Sequence, residues 1–376
     1  MLFADSETQK LLRDTARSFL RDRYPWDRLY ALERGEVQLS PADLKEFAEL
    51  GWLGLVAPES AGGVGASLLD AAAIVEEFGY AGVPAPVGTA NIAAYLLASA
   101  PSPENVRHSL DLTGGSRLYT VAEANRWTDD GAAAPSSAGG WLSGSLQLVP
   151  FGAVADYVIA PLSSDGAPAI ALLSLEAARR EPVRVLDRVD YCDVRFEDVL
   201  ADGVTLLAEG ARAEEMRDSL DALSTAFGLI ELAGLMQRVT EMTAEYISNR
   251  VQFGQPIAKF QAARHHAADM LMQTQTARWV AYHALDRFEQ DPADTAEIWL
   301  AKHWAIRASQ TVFELAHLLH GGVGVGTEYP LHLLTQGVAA WAVRAGDMNE
   351  MVSRVNGSLR LAGAHSAQTG GRLTAA

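Results

Sequence analysis

This chain of 376 residues has one cysteine, little positive charge and no long apolar run. Each shortage excludes something. A single thiol, Cys192, rules out an intramolecular disulfide and any structural zinc site built from several cysteines. Lys and Arg number 30 against 47 Asp and Glu, a formal net charge of −17. A nucleic-acid partner needs a basic footprint, and docking on anionic lipid needs a polybasic face, so neither is expected. No stretch of about 18 apolar residues occurs, so no membrane span is expected. The opening residues, Met1 to Glu7, lack a charged segment followed by an apolar one, so no signal peptide is expected and a cytoplasmic location is the expectation.

What is present is ample apolar material, 49% of the chain, in three textures. The first is helical. Ser6-Glu-Thr-Gln9 reads as a capping box, with Leu12, Ala16 and Phe19 on one face behind it. Ser40-Pro-Ala-Asp43 reads as a second helix start, which should end at Gly51. A Gly-rich loop over 57–66 precedes helical spacing in 68–78 and 91–97.

From about residue 115 the spacing shortens. Segments 117–122, 140–144, 157–160, 169–173 and 183–186 are rich in branched and aromatic residues and are punctuated by Gly, Pro, Asp and Ser. They predict short antiparallel strands in a small barrel or sandwich, with 128–140 a loop. After Asp202-Gly203 long helical patterns return. Leu232, Leu235, Val239, Met242 and Tyr246 step by three and four, and so does the series from Ile298 to Leu319. Such alternation suits antiparallel helices crossing at a shallow angle. The expected fold is therefore α+β: an N-terminal helical domain over 1–113, a middle antiparallel β-barrel domain over 114–208 and a C-terminal four-helix bundle over 209–376. The residues from Ser366 onward read as an unstructured tail.

Two blocks carry chemistry. In Arg250-Val-Gln-Phe-Gly-Gln-Pro-Ile-Ala-Lys-Phe-Gln261 a helix ends at a cation, a turn follows and a second helix opens. An arginine fork and free helix N–H groups suit phosphate oxygens. The same turn, by itself, also fits a simple helix cap. The second block is His320-Gly-Gly-Val-Gly324 with Glu328-Tyr-Pro330 beyond it.

Together the two blocks, in this domain order, resemble the acyl-CoA dehydrogenase family, and the resemblance covers nearly the whole chain. It implies an oxidoreductase of lipid metabolism in which FAD accepts a hydride from the β carbon of an acyl-CoA thioester while a carboxylate takes the α proton. It implies that Arg250, Gln252, Phe253 and Gln261 touch the pyrophosphate and adenosine part of an FAD held largely by a neighbouring subunit. Gly321 and Gly322 would let backbone approach the same cofactor. The implied partner is a homologous subunit, in a homo- or hetero-tetramer.

Several positions depart from the family pattern. The usual glutamate base is replaced by Ala345, and the alternative base position, in the helix before the arginine block, reads Ser224. Neither side chain is a useful base at neutral pH. Asp347 is the best substitute by position; Asp218, Asp221 and Glu350 read as capping or solvated acids. Where members that cradle the flavin ring carry Thr-Glu-Pro and Trp-Ile-Thr motifs, this chain has Val121-Ala-Glu-Ala-Asn-Arg126 and Leu148-Val149-Pro150. Leu318 stands where a glutamine often precedes the double glycine.

Within this resemblance the chain is similar to the base-lacking subunit of two-subunit bacterial members. A non-catalytic partner that completes another chain's FAD site is the alternative reading, and bulky polycyclic or branched acyl groups are the substrates it suggests. No metal site is expected, since His265 and His266 face different sides of a helix and His317 and His320 lack a third ligand.

Overall fold

A computed structural model describes residues 4–123, 135–200, 203–344 and 351–355. Six helices come first: α1 Glu7–Arg23, α2 Trp26–Glu33, α3 Pro41–Glu49, α4 Leu68–Ala81, α5 Val87–Ser99 and α6 Pro103–Thr113. Reciprocal caps start three of them. Ser6 with Gln9, Ser40 with Asp43 and Ser67 with Asp70 each satisfy one another's backbone N–H, as two of those sequences predict. The short helices α2 and α6 carry too few apolar repeats to be read from periodicity.

Eight strands follow: β1 Tyr119–Val121, β2 Ser136–Ala138, β3 Trp141–Pro150, β4 Tyr157–Ser164, β5 Ala167–Ser174, β6 Arg179–Val183, β7 Tyr191–Leu200 and β8 Val204–Glu209. They form one sheet in the order β6-β7-β3-β2-β4-β5-β8, with β1 also on β4. Pairing is antiparallel except that β4 takes both β1 and β2 as parallel neighbours.

The structure corrects the sequence reading at three places. Ser136–Ala138, expected as loop, is a strand because its backbone is zipped between β3 and β4. Val204–Glu209, expected within helix, closes the sheet edge on β5. The strand expected at 183–186 ends at Val183. The expected tail from Ser366 lies outside the described residues.

The chain closes with α7 Ala211–Asn249, the two-stranded hairpin β9 Val251–Gln252 and β10 Gln255–Pro256, then α8 Gln261–Gln290, α9 Ala296–His320 and α10 Leu331–Arg344. By length and composition α7 is apolar enough to cross a membrane, but 78% of its apolar window is buried inside the protein. It is the core helix around which the rest packs.

We propose the three-part division at 113/114 and 208/209 on chain texture; the apolar packing runs across it. One cluster joins Phe47, Trp52 and Phe78 of the N-terminal helices to Leu223, Ile230 and Met236 of α7 and to Val312 of α9, whereas the sheet has a second core around Val158, Leu173, Val194 and Phe196.

Two glycines let α4 and α7 touch. A Cβ on Gly79 would sit 2.1 Å from the Glu231 carbonyl oxygen, and one on Gly234 would sit 2.1 Å from that of Glu76. Backbones meet there because neither glycine has a side chain to keep them apart. Beside this crossing lies a buried ion network. Glu76 accepts Arg13 at 2.6 Å, Arg278 at 2.7 Å and the Tyr282 hydroxyl at 2.8 Å, while Glu77 takes Arg17 at 2.7 Å. It ties α1 and α8 to α4.

Candidate active site

The crossing of α4 and α7 opens on one side into a cavity of about 230 Å³. Its walls come from α4 (Val75, Phe78), α5 (Ile92), the sheet (Leu148, Pro150, Tyr191), α7 (Phe227) and α10 (Trp341). Most of the lining is apolar, which suits a hydrocarbon portion of a ligand. The sheet wall is irregular for a reason. Register between β3 and β7 shifts between Leu146 and Val149, and Leu148 and Phe151 both adopt positive φ, 49° and 57°. Such a bulge re-aims side chains, and strain of this kind persists where surrounding structure over-determines it. The Leu148 N–H is held by the Asp193 carboxylate at 2.8 Å, and the Pro150 carbonyl accepts the Thr120 hydroxyl at 2.7 Å.

Ser224, the alternative base position, is in this cavity wall. Its Oγ is buried and has no hydrogen-bond partner among the described residues. A hydroxyl in that setting can donate to or accept from a ligand, but it cannot hold a proton from carbon. Glu123 and Pro150, from the two departing ring motifs, line the same cavity. Ala345, Asp347 and Glu350 lie outside the described residues, as do Ala124 to Arg126.

The other acids considered have structural surroundings. Asp221 is buried and meets Arg354 at 3.2 Å. The Asp218 side chain is largely exposed, although partial burial raises its carboxyl.

Periodicity did not single out three polar residues here. Glu231 and the buried Lys302 both line the cavity, and Arg188 sits just behind it. Glu231 is the legible one: a lone acid inside the apolar run Phe227-Gly-Leu-Ile-Glu-Leu-Ala-Gly-Leu235. Burial, reinforced by the Asp187 carboxylate, raises its carboxyl to about 7.

The arginine block folds as its sequence predicts. α7 ends at Asn249 with Arg250 as its C-cap, and α8 opens at Gln261 with no side chain capping its first turn. Between them Phe253 and Gly254 are the central residues of a tight hairpin, both with positive φ, 53° and 80°. Two-residue hairpins of the commonest type require this sign at both places, and a bulky residue adopts it at a cost. Phe253 is 92% exposed and meets Phe260 edge to face at 6.2 Å. Arg250, Gln252 and Gln261 are exposed as well, and the Arg250 guanidinium has no ion pair among the described residues.

The second block sits against this one. Tyr246, one turn before Arg250, stacks on His320, and Tyr329 closes on the same imidazole at 5.2 Å. His320 is buried. Its Nδ1 faces the Ala316 carbonyl at 2.8 Å, which makes Nδ1 the donor and leaves Nε2 as an acceptor with no partner among the described residues. Burial holds its pKa below the ordinary value.

Gly321, at φ +59°, turns the chain out of α9, and no atom lies within 4 Å of a Cβ built on it or on Gly322. Leu318 is 63% exposed. His317 bonds Thr335 at 3.1 Å, and among the described residues no three metal-ligating groups come together.

These features fit a flat cofactor with a diphosphate. An unpaired guanidinium and uncapped helix N–H groups face the anion's chemistry, and an open glycine turn admits backbone approach. A helical scaffold that carries both an apolar cavity and such a junction suits a cofactor-dependent enzyme.

The chain belongs to the acyl-CoA dehydrogenase family: the profile "Acyl-CoA dehydrogenase, N-terminal domain" matches residues 6–111 and "Acyl-CoA dehydrogenase, C-terminal domain" matches 226–358. FAD is the cofactor of this family, as the resemblance implied. The chain is 26% identical over 351 residues to the acyl-CoA dehydrogenase IpdE2 of Mycolicibacterium smegmatis, covering 93% of this chain and 98% of that one. It superposes on a chain of the ChsE4-ChsE5 complex of Mycobacterium tuberculosis with a TM-score of 0.86 at 25% identity, covering 96% and 99%. The Tcur3481-Tcur3483 steroid ACAD gives a TM-score of 0.84, also at 25% identity, covering 95% and 99%.

Proposed function

We propose that this chain is one subunit of an FAD-dependent acyl-CoA dehydrogenase that introduces an α,β double bond into a CoA thioester. In this reading its arginine side completes an FAD site at a subunit interface. The observation that carries the proposal is the exposed, unpaired Arg250 at an uncapped helix junction, with Gly321 and Gly322 brought alongside by the Tyr246–His320 stack.

FAD, when bound, supplies the hydride acceptor. In this reading the α proton would pass to a carboxylate of the homologous subunit, and the chain's own residues bind and shield. Arg250 and the first N–H groups of α8 neutralise the diphosphate. The apolar cavity excludes water from the acyl group, and the Ser224 hydroxyl offers one hydrogen bond inside it. A homo- or hetero-tetramer is the assembly we expect, and Phe253 is then the ring that inserts into the neighbour.

A second reading is favoured by Ser224. With no carboxylate at that position, the chain serves as a partner that completes the FAD site of a homologous catalytic chain. The test is flavin content and turnover of the purified chain, alone and co-expressed with a homologous subunit. Flavin bound and bleached by an acyl-CoA only in the mixed assembly supports a two-chain enzyme. Stoichiometric FAD and turnover with the lone chain would discard the partner reading. Flavin in neither preparation would discard both.

A further inference from the structure

The cavity is lined mostly by apolar side chains, and Glu231 stands where it adjoins a second, smaller cavity. Glu231 lies seven residues after Ser224 on α7, two turns along the same face and roughly 10 Å away along the helix axis. Its carboxyl takes no hydrogen bond from a described residue. A second cavity of about 20 Å³, room for one oxygen-sized group, shares Val83, Glu231 and Trp341 with the first and reaches Asp187 and Arg188.

Arg188 is held there against its conformational preference, at φ +62°. Its Nη2 donates to the Gly82 carbonyl at 2.9 Å, while Nε and Nη1 are buried and have no partner among the described residues. An unsatisfied buried donor is destabilising because it has lost water without gaining an acceptor. Such a penalty is relieved by an acceptor that enters the pocket.

We propose that this end of the acyl pocket is an oxygen-recognition subsite, in which Glu231 and Arg188 receive a neutral ketone or hydroxyl at the far end of the acyl group. The inference rests on the acyl-CoA reading above and deepens it to a substrate class: oxygenated acyl groups, as against plain hydrocarbon chains. The charge balance selects a neutral group. Asp187, whose carboxylate accepts the Val189 N–H at 3.2 Å, already offsets Arg188. Glu231, raised to about 7 by burial and by Asp187, is protonated in a large share of molecules at neutral pH and so donates. A terminal carboxylate would add a second negative charge beside both acids. Of the other charged groups in the wall, Glu123 adds another acid, and Lys302 comes from the α9 side.

The experiment compares equilibrium binding of two CoA thioesters of identical bicyclic carbon skeleton, one with a ketone on the ring farthest from the thioester and one without it. The protein is the flavin-loaded assembly the chain forms, with Glu231→Leu, Glu231→Gln and Arg188→Met variants beside it. Wild type should prefer the ketone by about tenfold to a hundredfold, the scale of one or two buried hydrogen bonds. Glu231→Leu should reduce that preference to below about threefold, and Glu231→Gln, which still donates, should keep part of it.

Equal affinity in wild type, or a preference that survives Glu231→Leu, overturns the subsite. So does a Glu231→Gln variant that keeps the ketone preference in full but loses turnover, since that marks a proton-transfer group. Binding of neither thioester by wild type would instead overturn the acyl-CoA reading itself.

Discussion

The Tyr246 ring lies over the His320 imidazole with centroids 4.3 Å apart and planes 23° from parallel. This contact joins the two motifs that are 70 residues apart in the chain, and the Tyr246 hydroxyl adds a long hydrogen bond to the His320 carbonyl at 3.4 Å. The stack favours the neutral ring, because burial disfavours imidazolium. A folded pKa below the unfolded value means that the unfolded chain binds its proton first. Stability is therefore present above about 6.5 and lost as pH falls below it. His317 and His108 shift the same way, also through burial. His320→Phe keeps the stack and removes one proton site, so its melting temperature should fall less than that of wild type between pH 7 and pH 5.5. Parallel curves would show that His320 does not carry the effect.

Glu231 works in the opposite direction. Its carboxyl is raised, so the folded state holds a proton that the unfolded chain has released, and stability declines as pH rises from about 4.5 to 7. Glu231→Gln should melt higher than wild type at pH 8, by about 1–4 °C for each kcal/mol relieved in a chain of this size. At pH 4.5 the two should melt together. Thermal scans across that range decide it, and a gap independent of pH counts against the burial argument.

Arg250→Lys separates cofactor binding from folding. The side chain is exposed and has no ion pair among the described residues, so the melting temperature of the flavin-free protein should move by less than about 1 °C. Lysine presents a point charge where arginine presents a fork, so flavin occupancy of the assembled enzyme should drop, with affinity weaker by roughly tenfold. Unchanged occupancy would falsify the assignment of Arg250 to the diphosphate.

Gly234→Ala pits helix propensity against packing. Alanine gains up to about 1 kcal/mol inside a helix. The added Cβ must push α4 away from its 2.1 Å approach to the Glu76 carbonyl, and overpacking of this kind costs about 1–3 kcal/mol or more. The clash wins because the obstacle is backbone, which cannot rotate aside. Urea unfolding should show net destabilisation; a stabilised variant would mean the helices separate freely.

Glu76→Ala should be costlier still. It removes the more buried of the two acids that Arg13 and Arg278 share and leaves them Asp5, at 2.8 and 3.2 Å, a change at the low end of the about 3–5 kcal/mol for breaking a buried pair. A loss below about 1 kcal/mol in urea titration would show that the network is hydrated or redundant.

Local order was legible from residue type alone. Ser6, Ser40 and the repeats from Leu232 to Tyr246 announce helices because capping and 3.6-residue periodicity act within a few residues. The helix–turn–helix at Arg250 to Gln261 was legible for the same reason, whereas the family and its cofactor were read from the resemblance carried by the two motif blocks. The β segment was read less well. Ser136–Ala138 and Val204–Glu209 become strands through partners distant in sequence, which no local pattern encodes.

The sequence by itself determined the family and the coarse order of a helical, a β and a second helical segment; that Ala345 and Ser224 stand at the base positions is our reading of the resemblance. Only the tertiary structure decided which polar groups share a cavity. Ser224 and Glu231 share a face of α7 by their spacing, but α4 and the sheet close a cavity over that face, and Arg188 joins it because the loop before Tyr191 folds back over Gly82. Those are contacts between segments more than 100 residues apart, set by packing and burial rather than by any residue's own preference.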